Sequence, residues 1–317
     1  MHTNEIFDVT IIGGGPVGMF AAFYAGMREL KTKIIETMPV LGGQVEIIYP
    51  EKNIFDIGAF PYIKGTDLID QLEKQMHPFR PTLCLEETVL SVTKSDDIFV
   101  LETSAGTHYS RTILITTGQG SFESRKLTFD YNKQYEASNL QYYVAKLDSY
   151  RDKNVVICGG GDSDVDLALT LERIEKKVTS VEVVTPYIPK ELIGDGKSVS
   201  EIRFVKTRGE EELILSADYI IVSFGFVSDN RQLIDWGLDT EHSSLKVNQR
   251  MESNIPGIYA AGDVTIYDGK VKLIATGLGE APTAINSIIQ YLNPDKFIQA
   301  PLSADADMVD KFKDHFN

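Results

Sequence analysis

The stretch "FDVTIIGGGPVGMFAAFYAGMREL", residues 7–30, decides the fold. Its first half is a β-branched run that ends in glycines, and its second half is apolar and Ala-rich. It therefore reads as a strand, a tight turn and a helix. The run "KTKIIE" at 31–36 supplies the next strand and completes a βαβ unit. Within the turn, Gly13, Gly15 and Gly18 fit the spacing G-x-G-x-x-G. That spacing needs glycine for three different reasons. The first glycine permits the tight turn, the second lets a pyrophosphate approach the backbone, and the third allows close helix–strand packing. The unpaired N–H groups at the start of the helix then face the diphosphate. Glu36 closes the second strand, where a carboxylate can accept hydrogen bonds from ribose hydroxyls. Glycines alone would mark only a tight turn; strand, helix and acid in register predict a dinucleotide site.

The chain has 317 residues, 43% of them hydrophobic, enough for about two domains with cores of their own. Cys84 and Cys158 lie far apart, each in an apolar strand-like run, so a disulfide framework is not expected and a reducing cytoplasm fits better. Neither a signal peptide nor an apolar run long enough to span a membrane is visible, which predicts a soluble protein. The formal charge of −15 argues against unspecific nucleic-acid binding, because a phosphate backbone attracts surplus Lys and Arg.

Downstream, "GTDLIDQLEKQM" predicts a helix that Thr66 can cap, with Asp67 in its first turn. Short strands separated by turn signals over 83–117 suggest an antiparallel meander inserted into the first domain. The segment 113–122 reads as a crossing between domains. A second glycine-rich βα signature, "KNVVICGGGDSDVDLALTLE", occupies 153–172, and a buried strand follows at 219–226. "GIYAAGDV" and "GEAPTAINSIIQYL" then supply a late strand, turn and helix. The fold class expected is α/β, with two Rossmann-like three-layer nucleotide-binding domains, the first carrying the meander.

The ligand of the first turn reads as FAD rather than a nicotinamide dinucleotide, because a second glycine–acid element, "AAGD" at 260–263, lies far downstream. Asp263 at a strand end could bind the ribityl and phosphate side. The helix "EAPTAINSII" would turn its N-terminal dipole to the flavin edge where negative charge accumulates on reduction. The run "DSDVD" at 162–166 is no calcium loop, since Leu167 and Arg173 stand where the glycine and the bidentate Glu should be. No metal-ligand pattern is found.

Together "IIGGGPVGMFAAFYAGMR", "GGQVEIIYPEKNIFDIGAFP", "GFVSDN", "NIPGIYAAGDV" and "GKVKLIATGLGEAPTA" resemble segments of the pyridine nucleotide–disulfide oxidoreductase superfamily. Within it, the chain most resembles the thioredoxin-reductase-like ferredoxin/flavodoxin–NADP+ reductases. The resemblance implies an FAD domain formed by residues 1–117 and 248–317, with an NADPH domain, 118–247, inserted between them, and usually a homodimer. It also implies roles position by position. Gly13, Gly15, Pro16 and Gly18 would surround the diphosphate and Glu36 would hold the adenosine ribose. Gln44 would contact the flavin side, Tyr49 would stack on the ring system, and Val89 would use its backbone at the adenine. Phe122 would line the flavin cavity, and Asp263 and Thr283 would serve the ribityl and pyrimidine side. Gly159, Gly161 and Asp162 would form the NADPH turn. In the tail, the residue over the flavin falls near Leu302 with Ser303 following, or is replaced by Phe312, His315 or Phe316.

The implied activity is hydride transfer from NADPH to the flavin and single-electron transfer onward to a ferredoxin or flavodoxin, with no side-chain catalyst required. Thioredoxin reductases carry a C-x-x-C pair near "ICGGGDSDVD", but here Cys158 is followed by glycine, so a dithiol relay is not supported. Ferredoxins and flavodoxins are usually acidic. The candidate docking pairs are Arg125 with Lys126, Lys176 with Lys177, and Lys270 with Lys272, each of which also reads as a solvated surface pair.

Two departures stand out. Asp164 replaces the small third residue of the second fingerprint. Against the family pattern, about 20 residues that would carry a strand, a helix and the arginines for the NADPH 2′-phosphate are also absent between Thr179 and Ser180. Either the domain has lost them, or a segment is left out and the two residues are not chain neighbours. A true loss would suit the alternative function, a flavin-binding redox-sensing or interaction module with a degenerate nicotinamide site.

Overall fold

The computed structural model describes residues 5–48, 50–142, 147–161, 165, 167–169, 171 and 186–295; at 121–123, 147–148 and 226–229 only the backbone is described. The chain divides into two compact units, Met1–Ser121 with Ser228–Asn317, and Phe122–Val227.

The first unit grows from the opening stretch. Strand β1 (Ile6–Ile12) leads through the glycine turn into helix α1 (Pro16–Met27) and strand β2 (Thr32–Ile35). Helix α2 (Gly43–Ile48), helix α3 (Gly65–Met76) and the strands β3 (Thr82–Cys84), β4 (Val89–Ser95), β5 (Ile98–Thr103) and β6 (Thr107–Ile115) follow. The sheet order is β3-β2-β1-β6-β5-β4. β3, β2, β1 and β6 run parallel, in register as Ile12↔Ile35 and Ile12↔Ile115, while β4, β5 and β6 form the antiparallel meander. One edge of β6 is forked. Its residues 107–110 pair with β5, and Ile113–Ile115 pair parallel with the late strand Ile258–Ala260.

Parallel strands covered on both faces need apolar side chains on both. Val9, Ile11, Ile34, Leu114 and Tyr259 face α1, α3 and the long helix Ile274–Leu292, where Ala21, Ala22, Ala25 and Ile285 are fully buried. The alanines let α1 lie close on the sheet. On the opposite face, Ile12, Ile35, Ile113 and Ile115 pack with Phe99 and Leu101 of the meander and with Leu233, Trp236, Leu238 and Leu245. This makes the three layers. Residues 228–247, assigned by sequence to the inserted domain, thus belong to the first unit, and the units divide at 121/122 and 227/228 rather than at 117/118 and 247/248. The reason is the buried apolar face of 233–245, which the sheet of the first unit covers.

Two helix boundaries differ from those read in the sequence. α3 has Lys64 at its N-cap with no side-chain bond, so Thr66 lies inside the helix and does not cap it. The last helix starts at Ile274, not near Glu280. Gly277 and Gly279 look like breakers, but a Cβ on Gly277 would strike Val17 and come within 3.1 Å of the Gly262 Cα, so close packing explains Gly277. Glu280 and Thr283 are therefore interior helix residues.

In the second unit, Leu140–Gln141, Tyr219–Val222 and Val155–Cys158 form a parallel sheet in that order. An antiparallel sheet of Tyr187–Gly194, Val199–Lys206 and Glu212–Ser216, which the sequence reading did not anticipate, shares its core through Ile202, Phe204, Ile220 and Val222. Asn139 fastens the two. Its side-chain amide donates to the Val199 and Asp218 carbonyls at 2.7 Å, and its oxygen accepts from the Val199 N–H at 2.8 Å. Asp162, Asp164, Lys176, Lys177 and the Thr179–Ser180 junction lie outside the described residues.

Candidate functional site

The first glycine turn has the geometry its spacing predicts. Gly13 has φ +106° and donates to the Ile35 carbonyl at 2.9 Å. A Cβ on Gly18 would run into the Gly13 carbonyl oxygen, so only glycine lets α1 leave the strand this closely. Gly15 is different. Its backbone is extended (φ −71°) and a Cβ there would meet nothing within 4 Å. Gly15 therefore faces open space, beside a helix start with Pro16 in its first turn, no side-chain cap and no acidic residue in that turn. An anion can come directly onto the backbone at that point.

Three further segments surround the turn. The Glu36 carboxylate is buried and accepts from the Gly14 N–H at 2.6 Å and the Met38 N–H at 2.9 Å. Burial holds its pKa above the ordinary value of 4.5, against the pull of these backbone donors. Two N–H donors leave lone pairs on the carboxylate for further hydroxyl donors. Gly42 donates to the Gly14 carbonyl at 2.9 Å, and a Cβ on Gly43 would lie 3.2 Å from the Gly15 Cα. That close seat carries Gln44 towards Gly118, where a Cβ would sit 3.5 Å from the Gln44 amide nitrogen. Thr116, which the sequence reading missed, donates to the Gly13 carbonyl at 2.8 Å and steadies the turn from β6. Val89 opens β4 opposite Thr103 with its side chain buried, leaving its backbone as the part that can face a ligand.

The "AAGD" element meets the same helix. Ala261 donates to the Ile115 carbonyl at 3.0 Å and Gly262 (φ +85°) rests against Val17 in the first turn of α1. Asp263 follows, half-buried, its carboxyl raised by burial and pulled the other way by Lys270 and Lys272. Behind it, Glu280 accepts from the Gly262 N–H at 2.7 Å, the Tyr267 hydroxyl at 2.5 Å and the Lys270 ammonium at 2.5 Å. The Lys270 and Glu280 side chains are only 4% and 6% exposed. Lys270 is thus an interior cation, neither the solvated surface charge nor the candidate docking residue that the sequence suggested. Lys272 donates to Ser244 at 3.1 Å, and Lys126 is paired with Glu136. Thr283 sits well inside the helix, bonded to the Gly279 carbonyl at 3.3 Å.

In the second unit, Gly159, Gly160 and Gly161 follow the strand Val155–Cys158 and are exposed, and a Cβ on Gly160 would meet nothing within 4 Å. Cys158 itself is buried and burial pushes its thiol up to about 12. It is a core residue without thiolate chemistry near neutrality. Tyr49, Asp162 and Ser303 lie outside the described residues, and of Phe122 only the backbone is described.

Away from the turn, Cys84, Glu87 and His108 bring donor atoms within 4.8 Å of one another. The Lys33 Nζ lies 2.6 Å from His108 Nδ1, and His108 Nε2 lies 2.5 Å from Glu87. With Lys33 donating to Nδ1, the Nε2 proton faces Glu87, and Lys33, His108 and Glu87 form a continuous hydrogen-bonded network.

Models of the family described as pyridine nucleotide-disulphide oxidoreductase match residues 44–190 and 180–287. The ferredoxin–NADP reductase of Halalkalibacterium halodurans is 49% identical over 313 residues, covering 92% of this chain and 95% of that protein. The ferredoxin–NADP reductase of Geobacillus thermodenitrificans is 45% identical over 318 residues, covering 93% and 96%. The chain belongs to the ferredoxin–NADP reductase family. Among solved structures, the thioredoxin reductase of Lactococcus lactis superposes with a TM-score of 0.63 at 24% identity, covering 90% of this chain and 99% of that one. The thioredoxin reductase of T. acidophilum gives 0.62 at 23%, covering 92% and 99%. These two share the fold.

Proposed function

We propose that this member of the family is an FAD-dependent oxidoreductase that carries electrons between NADPH and ferredoxin. The observation that carries the reading is the 49% identity to a ferredoxin–NADP reductase over 92% of the chain. The glycine turn supports it physically: Gly15 leaves open the space a diphosphate needs, and Glu36 keeps acceptor capacity at the end of β2. Bound FAD would accept hydride and release electrons singly. The chain's own part is placement. Gly13, Gly15, Pro16 and Gly18 admit the diphosphate, Glu36 takes the adenosine ribose, and Val89 offers backbone to the adenine. Gln44, Asp263 and Thr283 orient the ribityl and flavin end, with Tyr49, Phe122 and Ser303 assigned to the ring itself. Gly159, Gly161 and Asp162 receive NADPH in the second unit. No acid–base or nucleophilic side chain is needed in this scheme.

Flavodoxin as a second carrier, a homodimer and a cytoplasmic location belong to the same reading. Among the described residues no helix is long and apolar enough to cross a membrane. The alternative of a redox-sensing or interaction module has less support, because the identity to reductases runs through nearly the whole chain. Anaerobic titration of the FAD-loaded protein with NADPH and with NADH, followed at the flavin absorbance band, tests the proposal. Bleaching by NADPH and re-oxidation by ferredoxin are expected; a yellow protein that NADPH leaves unbleached overturns it.

A further inference from the structure

Glu280 and Lys270 lie behind the Gly262–Asp263 turn. We infer that Glu280 is a positioning residue for FAD, fixing the Gly262–Asp263 turn through the Gly262 N–H, with Lys270 as the buried cation that keeps Glu280 in place. This rests on the FAD reading above.

The geometry is unusual for an acid in a helix interior. Glu280 is buried in the second turn of Ile274–Leu292, and its Oε2 accepts from the Gly262 N–H at 2.7 Å. Its Oε1 takes the Tyr267 hydroxyl and the Lys270 ammonium, both at 2.5 Å. A buried ion pair is weak evidence of stabilisation, since apolar residues of similar volume often serve a fold as well or better. Here the pair ties three chain segments together: the turn at 262, the loop at 267–270 and the helix. Gly262 has φ +85° and is pressed on Val17, so the direction in which the chain carries Asp263 depends on that one peptide. The Gly262 N–H has no backbone acceptor among the described bonds, and without Glu280 it would be buried unpaired or would rotate away.

The test separates positioning from mere stability. Lys270→Met with Glu280→Gln removes the charges but leaves an amide oxygen for the Gly262 N–H. Lys270→Met with Glu280→Leu removes the charges and the acceptor. Apoprotein of wild type and both double variants is titrated with FAD by quenching of flavin fluorescence, and the melting temperature of each is recorded. We expect the Gln variant to bind within about threefold of wild type and the Leu variant at least about tenfold more weakly, at similar melting temperatures. Amide hydrogen exchange of the peptide holding Gly262 should be slow in the first and fast in the second. If the Leu variant does not fold, Lys270→Met with Glu280→Met gives the same comparison. Equal FAD affinity and equal exchange in the two double variants overturn the inference alone. Wild-type apoprotein that takes up no FAD overturns the reading on which it rests as well.

Discussion

The Glu36 carboxylate accepts a hydrogen bond from the Gly14 N–H at 2.6 Å, so the acid that ends β2 and the glycine loop that ends β1 hold each other. The site is prepared by contacts within the chain, and the separate duties of its residues can be pulled apart by substitution.

Gly15 and Gly18 should respond oppositely to the same change. Gly18→Ala forces a methyl into the Gly13 carbonyl and should cost about 1–3 kcal/mol or more of stability. Gly15→Ala meets no protein atom and has an ordinary backbone conformation, so the apoprotein should melt as wild type does. Its methyl would occupy the approach of the diphosphate, and FAD affinity should fall at least about tenfold. Thermal unfolding beside flavin fluorescence titration checks both.

Glu36 sets a pH dependence with a definite sign. Its folded pKa is raised by burial above 4.5, so folding favours the protonated acid. The stability this contributes is full below 4.5 and is lost as pH rises through the raised folded value. Glu36→Gln should flatten the fall in apoprotein stability from pH 4.5 upward, measured by urea unfolding at several pH values. A wild-type slope preserved in the variant would assign it to another group.

Cys158→Ala should leave NADPH-driven turnover within about twofold of wild type and lower stability by about 1 kcal/mol, as for a small core side chain. With its thiol pushed up to about 12, native Cys158 should also resist alkylation near neutral pH. Loss of turnover in the alanine variant would return thiol chemistry to consideration.

Trp236 tests the unit boundary. It is buried with Ile12, Ile35 and Phe99, and its Nε1 donates to the Leu90 carbonyl at 3.4 Å. Trp236→Ala should cost about 3–5 kcal/mol. Hydrogen exchange should quicken in peptides of β1, β2 and β5 and stay unchanged over Val155–Cys158 and Tyr219–Val222. The reverse pattern would put 228–247 back with the inserted unit.

Much of the first unit was legible because its signals are local. Gly13, Gly15 and Gly18 announce their turn by spacing, and the turn signals between short strands over 83–117 announce the meander. What escaped depends on distant partners. Gly277 looks like a breaker until Val17 and Gly262 are seen against it. Lys270 looks like a surface charge until Glu280 is found beside it in the interior. Thr116 carries no signal of its own, because its role is a hydrogen bond to a residue more than 100 positions earlier. The domain boundary at 227 was hidden for the same reason, since the apolar residues of 233–245 do not say which sheet they cover. The antiparallel sheet at 187–216 also escaped, because its strands mix exposed and half-buried positions and bury few side chains fully.

The forked edge of β6 constrains the order in which the protein can be completed during synthesis. Ile113–Ile115 emerge from the ribosome with β1 already available on one side, but their other partner, Ile258–Ala260, follows only after the whole inserted unit has been made. Until then the nascent chain carries an unpaired strand edge, and the face of α1 that the last helix covers is bare. The inserted unit has its own core and is free to form in the interval. The first unit is therefore the first to begin and the last to finish, and a ribosome stalled before residue 258 should leave an aggregation-prone fragment rather than half a reductase.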